Sequence, residues 1–375
     1  MAQKPSLLIL SFSPIYRDAR VLKQVKLFRD QYQLYTCGYG EAPAGVAGHF
    51  QIPDTAVNWK YDDLSVVTRQ YRRAYWGNAA VKAAGELLAG HSFDAVLAND
   101  FDAAPLALSL QPKHGVHCDL HEYAPLQKEY LRRWRWFISP FRAWICRTYV
   151  AKAQSWTTVG QKVAEKYYAE FGFFPEVVTN SSPYAELAPT AVHQPIKLVH
   201  HGVSHEDRNL VQLAEAVAAS QAAVTLTFFL VPSDPNVVSQ LEAIAARDSR
   251  ISVKPPLPYD QIVTQLNDFD CGIYSFPPTS FNIEYALPNK LFDFIQARLG
   301  IIVGPSPEAA ALVQKYQIGK ALADFSPAVM TAAIEELTAA EVTQWKAASA
   351  RNAYELSAES QLKTWDSAIA ALLKS

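Results

Sequence analysis

Hydrophobic positions along the chain fall into two alternating patterns. Short runs rich in β-branched and aromatic residues, SLLILSFS (6–13), QLYTCGY (33–39), FDAVLAND (93–100), GVHCDLH (115–121), SWTTVG (155–160) and PEVVTN (175–180), predict buried strands. Between them apolar residues recur at three- and four-residue spacing and predict helices. In RDARVLKQVKLFRDQ (17–31) this places Val21, Val25, Leu27 and Phe28 on the inner side. A stretch rich in Pro, Ser and Ala without a period (181–195) reads as a linker, and the alternation then restarts. IKLVHHG, VTLTFFLV, RISVKPPL, FDCGIYSF and GIIVG predict strands. NLVQLAEAVAAS, NVVSQLEAIAAR, YDQIVTQLND and LPNKLFDFIQ predict the helices between them, and 328–374 reads as helical with breaks. Strands alternating with helices predict an α/β fold of two doubly wound, Rossmann-like domains with parallel sheets facing across a cleft. The expected boundaries are 1–180 for the first domain, 181–195 for the linker and 196–359 for the second, with 360–375 crossing back to the first. Open sheets of this kind bind ligands at the carboxyl ends of their strands.

Composition narrows the chemistry. The 375 residues are 50% hydrophobic and 19% charged, with formal net charge −2 and pI about 6.5, so no global basic field points to nucleic acid. The four cysteines, Cys37, Cys118, Cys146 and Cys271, form no CxxC pair, and three of them lie in or near apolar runs, which predicts reduced, buried thiols of a cytoplasmic protein. MAQKPSLLILSFSP has too short an apolar run for a signal peptide, and no run of 18 apolar residues is present. GxGxxG does not follow the first strand, the P-loop pattern is missing, and HEYAPL and HEDRNL lack the second His of HExxH. Dinucleotide, ATP-hydrolysing and zinc-protease readings therefore lose ground. Asp-Phe-Asp occurs at 100–102 and at 268–270; the second copy leads into an apolar strand, and neither is expected to hold a metal.

Two strand–helix turns of the second half suit a phosphate-bearing ligand. LVHHGVSHEDRNL puts Gly202, where a backbone can approach a ligand closely, just after a strand, and Arg208 at the start of the next helix. A cation there opposes the helix dipole unless an anion joins it. LPNKLFDF opens a helix with Pro288 and Asn289, adds Lys290 beside its free N–H groups, and places Asp293 on the same face as Lys290. A capped helix with a surface ion pair is the plain alternative.

The segments HHGVSHEDRNL, DFDCGIYSF, NIEYALPNKLFDFIQARLGIIV and VQKYQIGKAL resemble the donor-binding half of GT-B glycosyltransferases, specifically the retaining family 4 type. SWTTVGQKVAEKYYAEFGFFPEVVTNSSP is similar to that family's segment before the hinge, and SPIYRDARVLKQVKLF to its first strand–helix turn. The resemblance implies a nucleotide-sugar donor as co-substrate, with no cofactor and no metal. It implies that Arg208 and Lys290 contact the donor diphosphate, near Gly202 and Asn289. Asp293 falls where the family has the Glu that binds the ribose, and His121, in DLHEYAP, matches the His near the transferred sugar. Val203 stands where the family has an Arg, and its paired-Glu spacing is not kept, so Asn282 and Glu284 compete for the sugar-contacting role. Implied too is transfer to a glycan or lipid-linked acceptor in surface polysaccharide or glycolipid assembly. An epimerase of the same fold and a non-catalytic binding subunit remain open.

The segment LQKEYLRRWRWFISPFRAWICRTYV (126–150) interleaves Arg132, Arg133, Arg135, Arg142 and Arg147 with Trp134, Trp136 and Trp144. Basic and aromatic residues together suit anionic lipid headgroups, so Arg132, Arg133, Trp134 and Trp136 are read as an acceptor or membrane side. A helix pair with Trp inside and Arg outside is the alternative; binding of nucleic acid is not expected.

Overall fold

The structure is a computed structural model that describes residues 4–374. The chain divides into two compact units. One runs to Thr179 and takes in Ser280–Asn282 and the chain from Leu362 onward; the other holds Asn180–Thr279 and Ile283–Gln361.

The first unit is built on a seven-stranded sheet of order β3-β2-β1-β4-β5-β6-β7. Its strands are β1 (Ser6–Pro14), β2 (Gln33–Tyr39), β3 (Gly48–Ile52), β4 (Ala95–Asn99), β5 (Val116–Leu120), β6 (Ser155–Thr158) and β7 (Glu176–Val177), and the pairs are parallel. A sheet buried on both faces needs apolar residues of both parities, which is why its strands read as continuous runs. Along β1, Leu8 and Leu10 enter one core while Leu7 and Ile9 enter the other. Trp365, Ile369 and Leu372 of the last helix, Ala358–Leu372, join this second core.

The second unit carries a six-stranded parallel sheet of order β10-β9-β8-β11-β12-β13. Here the strands are β8 (Ile196–Ser204), β9 (Val224–Pro232), β10 (Ile251–Lys254), β11 (Cys271–Tyr274), β12 (Gly300–Val303) and β13 (Gly319–Ala321). Chain order reverses direction between β1 and β4 in the first sheet and between β8 and β11 in the second. These are the places where an open α/β sheet leaves a crevice for ligands.

Several local expectations are corrected. β3 and β13 were not anticipated, being short edge strands without a full apolar run. In the helix Ala19–Phe28 the buried face is Arg20, Val21, Gln24, Val25 and Phe28, with Leu27 only partly buried, because 21, 24, 25 and 28 share one side at 3.6 residues per turn. Arg208 lies in the 3-10 turn Glu206–Arg208, ahead of the helix Leu210–Ala219, whose N-cap is Asn209. Pro288 is the N-cap of the helix Asn289–Gln296 rather than its first residue. The helical tail resolves into Pro327–Glu335, Ala339–Asn352 and Ala358–Leu372. Residues 181–195 contain no helix or strand but are pinned to the second unit: Arg298 donates to the carbonyls of Ala185 and Leu187, Asn267 to that of Ala188, and His193 to Asp270. All four cysteines are free and buried.

Candidate functional site

In the second unit the reversal point between β8 and β11 collects the charged residues singled out above. The last five residues of β8 begin with His200, His201 and Gly202, so Gly202 lies within the strand rather than just after it as expected, and Phe276 follows β11. Lys290, in the first turn of Asn289–Gln296, is buried at 9% exposure, and its Nζ lies 2.9 Å from His200 Nε2. His200 Nδ1 meets the carbonyl of Ile273 at 2.8 Å. A carbonyl only accepts, so Nδ1 carries the ring proton and Nε2 accepts from the lysine. Among the described residues no carboxylate comes within ion-pair distance of Lys290 Nζ. Burial, and then the neighbouring Arg208, push the Lys290 pKa well below the ordinary lysine value. Burial and then Lys290 likewise hold His200 neutral.

Arg208 and Lys290 share one aromatic partner: the guanidinium carbon lies 4.5 Å and the ammonium 4.7 Å from the Phe276 ring centroid. Arg208 Nε also lies 3.2 Å from Asp207 Oδ1. Gly202 is needed here twice over. Its φ of +129° disfavours any side chain, and a Cβ would sit 3.1 Å from Lys290 Nζ. The result is a concentrated positive site, bordered by backbone, at a helix N-terminus and a sheet reversal point. Oxyanions are the ligands that such a site stabilises.

The companion residues are placed as follows. Asp293, one turn after Lys290, accepts from Ser182 Oγ. Its Oδ2 lies 3.3 Å from His201 Nε2 without hydrogen-bond alignment. Burial, with Lys290 nearby, pushes His201 down to about 3, so that contact is no ion pair at neutral pH. Asn289 Oδ1 accepts from Asn180 Nδ2 at 2.9 Å. Asn282 groups with the first unit, where its side chain accepts from Tyr123 N at 2.8 Å and donates to Tyr123 O at 3.1 Å. Glu284, half-buried, groups with the second unit at the end of the short helix Phe281–Glu284.

In the first unit His121 follows β5, with its side chain 26% exposed. Its Nε2 donates to Asn99 Oδ1 at 3.2 Å and lies 3.6 Å from Asp119 Oδ2. Asp119 is fully buried and held on all sides. Arg20 grips it through two bonds of 2.6 and 2.7 Å, while Gln24, Thr157 and Trp365 donate at 2.8, 2.7 and 3.3 Å. Burial opposes the charge on Asp119, but Arg20 outweighs it and keeps the carboxyl ionised. For His121 burial again opposes the charge, yet Asp119 and Asp100 raise the pKa above the usual histidine value. Close by, burial and then Asp100 push Asp102 and Glu122 up to about 7. The second Asp-Phe-Asp is structural at Asp270, which accepts from Lys346 Nζ at 3.2 Å and from Lys197 N at 2.9 Å. Among the described residues no group of three or more His, Cys, Asp or Glu is arranged to hold a metal.

Sequence reasoning passed over His200, Phe276 and the Arg20 cluster. Arg20 carried a usable signal, since it is a cation in the first turn of a helix, the same mismatch that marked Arg208. His200 and His201 were legible as polar residues at the carboxyl end of a central apolar strand.

No known family model matches the chain, and no curated protein sequence does. Solved structures do match, over essentially the whole length. Sucrose-phosphate synthase from Thermosynechococcus elongatus has a TM-score of 0.69 at 11% identity, covering 98% of this chain and 100% of its own. The E. coli trehalose-6-phosphate protein bound with UDP-2-fluoro glucose gives 0.68 at 11%, covering 99% of both chains. Anabaena HepE in complex with UDP and glucose gives 0.67 at 12%, covering 98% of this chain and 100% of its own. The fold is GT-B. Within it, the two sheets described above are the two parallel-sheet α/β domains of a GT-B chain.

Proposed function

We propose that this GT-B chain is a glycosyltransferase that moves a sugar from a nucleoside-diphosphate donor to a glycan or lipid-linked acceptor, with retention, in surface polysaccharide or glycolipid assembly. The observation that carries the reading is Lys290, a buried amine with a neutral histidine for a partner, beside Arg208 over Phe276. A diphosphate supplies the missing counter-charge. UDP or UDP-sugar complexes of the fold neighbours support that ligand class.

On this reading the second unit holds the donor. Lys290, Arg208 and the N–H groups opening Asn289–Gln296 stabilise the charge that builds on the leaving diphosphate as the glycosidic bond breaks. Asp293 takes the ribose hydroxyls. In the first unit His121, oriented by Asn99 and Asp119, meets the transferred sugar. The leaving diphosphate takes the proton of the acceptor hydroxyl, so the reaction calls for no nucleophilic carboxylate and no metal.

The test is incubation with UDP-, GDP- and ADP-sugars while nucleoside diphosphate and sugar products are followed separately. Slow release of the diphosphate, accelerated by an acceptor, is expected. Interconversion of the sugar without release makes the protein an epimerase instead. Binding with neither outcome makes it a non-catalytic subunit.

A further inference from the structure

The first unit carries a basic and apolar surface that the donor site does not use. The short helix Asp63–Val67 leaves Leu64 69% and Val67 46% exposed, while its Ser65 and Val66 are buried. It touches the turn Trp134–Ile138, to which Arg133 Nη2 and Asp63 Oδ1 tie it at 2.6 Å. From that turn and the residues before it Trp136 stands 70% exposed and Leu131 46%. Trp134, by contrast, is packed in, its Nε1 donating to Pro125 O at 2.9 Å and its ring 4.3 Å from the Arg142 guanidinium. Next to the short helix an open groove of about 690 Å³ has Arg69, Arg72 and Arg73 along it and Trp76 and Trp144 in its wall. Tyr71 fastens the two walls, its ring 5.5 Å from Phe141 and 5.7 Å from Trp144.

The charges here are unbalanced. Arg69, Arg72, Arg73, Arg132 and Arg135 make no ion pair among the described residues. The nearby acids are largely committed: Asp62 caps its helix through Ser65 and gives Arg73 only a longer-range attraction, Asp63 pairs with Arg133, and Glu129 accepts from Phe281 N. Large apolar side chains in water beside uncompensated guanidinium groups match the boundary between lipid headgroups and acyl chains. No helix among the described residues is long and apolar enough to cross a membrane, so the contact would be a docking one.

We propose that this surface docks the protein on a bilayer rich in anionic lipid. Leu64, Val67, Leu131 and Trp136 enter the headgroup boundary, and Arg69, Arg72 and Arg73 take lipid phosphates in the groove. The docking stands apart from the transferase reading, because it uses none of the donor-site residues.

The experiment is co-sedimentation of the full chain with vesicles of phosphatidylcholine alone or mixed with phosphatidylglycerol. The wild type should partition onto the mixed vesicles only, less so at high salt. Joint replacement Arg69→Gln, Arg72→Gln and Arg73→Gln should lower partitioning about 100-fold, given the contribution of each basic residue near such a surface. Leu64→Ser with Trp136→Ser should lower it about tenfold or more. These residues are exposed, so both variants should keep the wild-type melting temperature and nucleotide affinity. Equal partitioning onto both vesicle types, no partitioning at all, or partitioning unchanged in both variants overturns the proposal. Binding of inorganic pyrophosphate in the groove without vesicle binding assigns it to a soluble anion and overturns the proposal too.

Discussion

Two buried cations of this molecule meet opposite fates. Arg20 in the first unit is 5% exposed, grips Asp119 through two short bonds, and gives its remaining nitrogen to the carbonyl of Val178 at 3.0 Å. Lys290 in the second unit is about as buried but faces neutral His200, an aromatic ring and another cation. A third, Lys346, shows that the second unit can satisfy a lysine when its fold requires one. Its Nζ reaches Asp270, Phe269 O and Thr190 Oγ1 at 3.2, 2.8 and 2.9 Å. Burying an ion without partners costs several kcal/mol, so a satisfied cation belongs to the fold and an unsatisfied one to a ligand.

The strongest way to break the contrast is to remove the carboxylate of the satisfied pair. Asp119→Ala leaves Arg20 buried and uncompensated and should cost about 3–5 kcal/mol, read as a lower urea midpoint. Lys290→Met should act in reverse. The free protein keeps its stability or gains about 1 kcal/mol, while affinity for the donor nucleotide falls about 100-fold by calorimetry. Arg208→Ala, at a half-exposed position, should weaken the same binding about tenfold and leave the urea midpoint unchanged. The smallest effect concerns pH. The folded-state pKa of Asp102 is raised to about 7, so its contribution to stability is present in acid and lost as pH rises to about 7. Asp102→Asn should therefore melt about 2–4 °C above the wild type at pH 8, with the gap narrowing toward pH 4.

The fold was largely legible because a sheet covered on both faces writes itself as apolar runs, and because Gly300–Val303 and Gln33–Tyr39 are bounded by turn residues. What was missed lay where that signal fades. β3, half-exposed at the sheet edge, has no run to read. Arg208 was legible as a cation expected at a helix start, although it sits in a 3-10 turn ahead of that helix, and Lys290 as a cation beside the free N–H groups of one. Their mutual geometry was not, because the approach of Phe276 and His200 to Lys290 is set by the register of β8 against β11. Nor could the sequence separate Trp134 from Trp136, two positions apart in a turn where one is packed and the other faces solvent.

The central claim is that Lys290 awaits a diphosphate. Its most direct test is the thermal shift of the wild type and Lys290→Ala against UDP, GDP, ADP, CDP and dTDP. The account predicts that at least one nucleotide raises the wild-type melting temperature by several degrees and that the variant loses this shift. An undiminished shift in the variant, or none with any nucleotide, would contradict it.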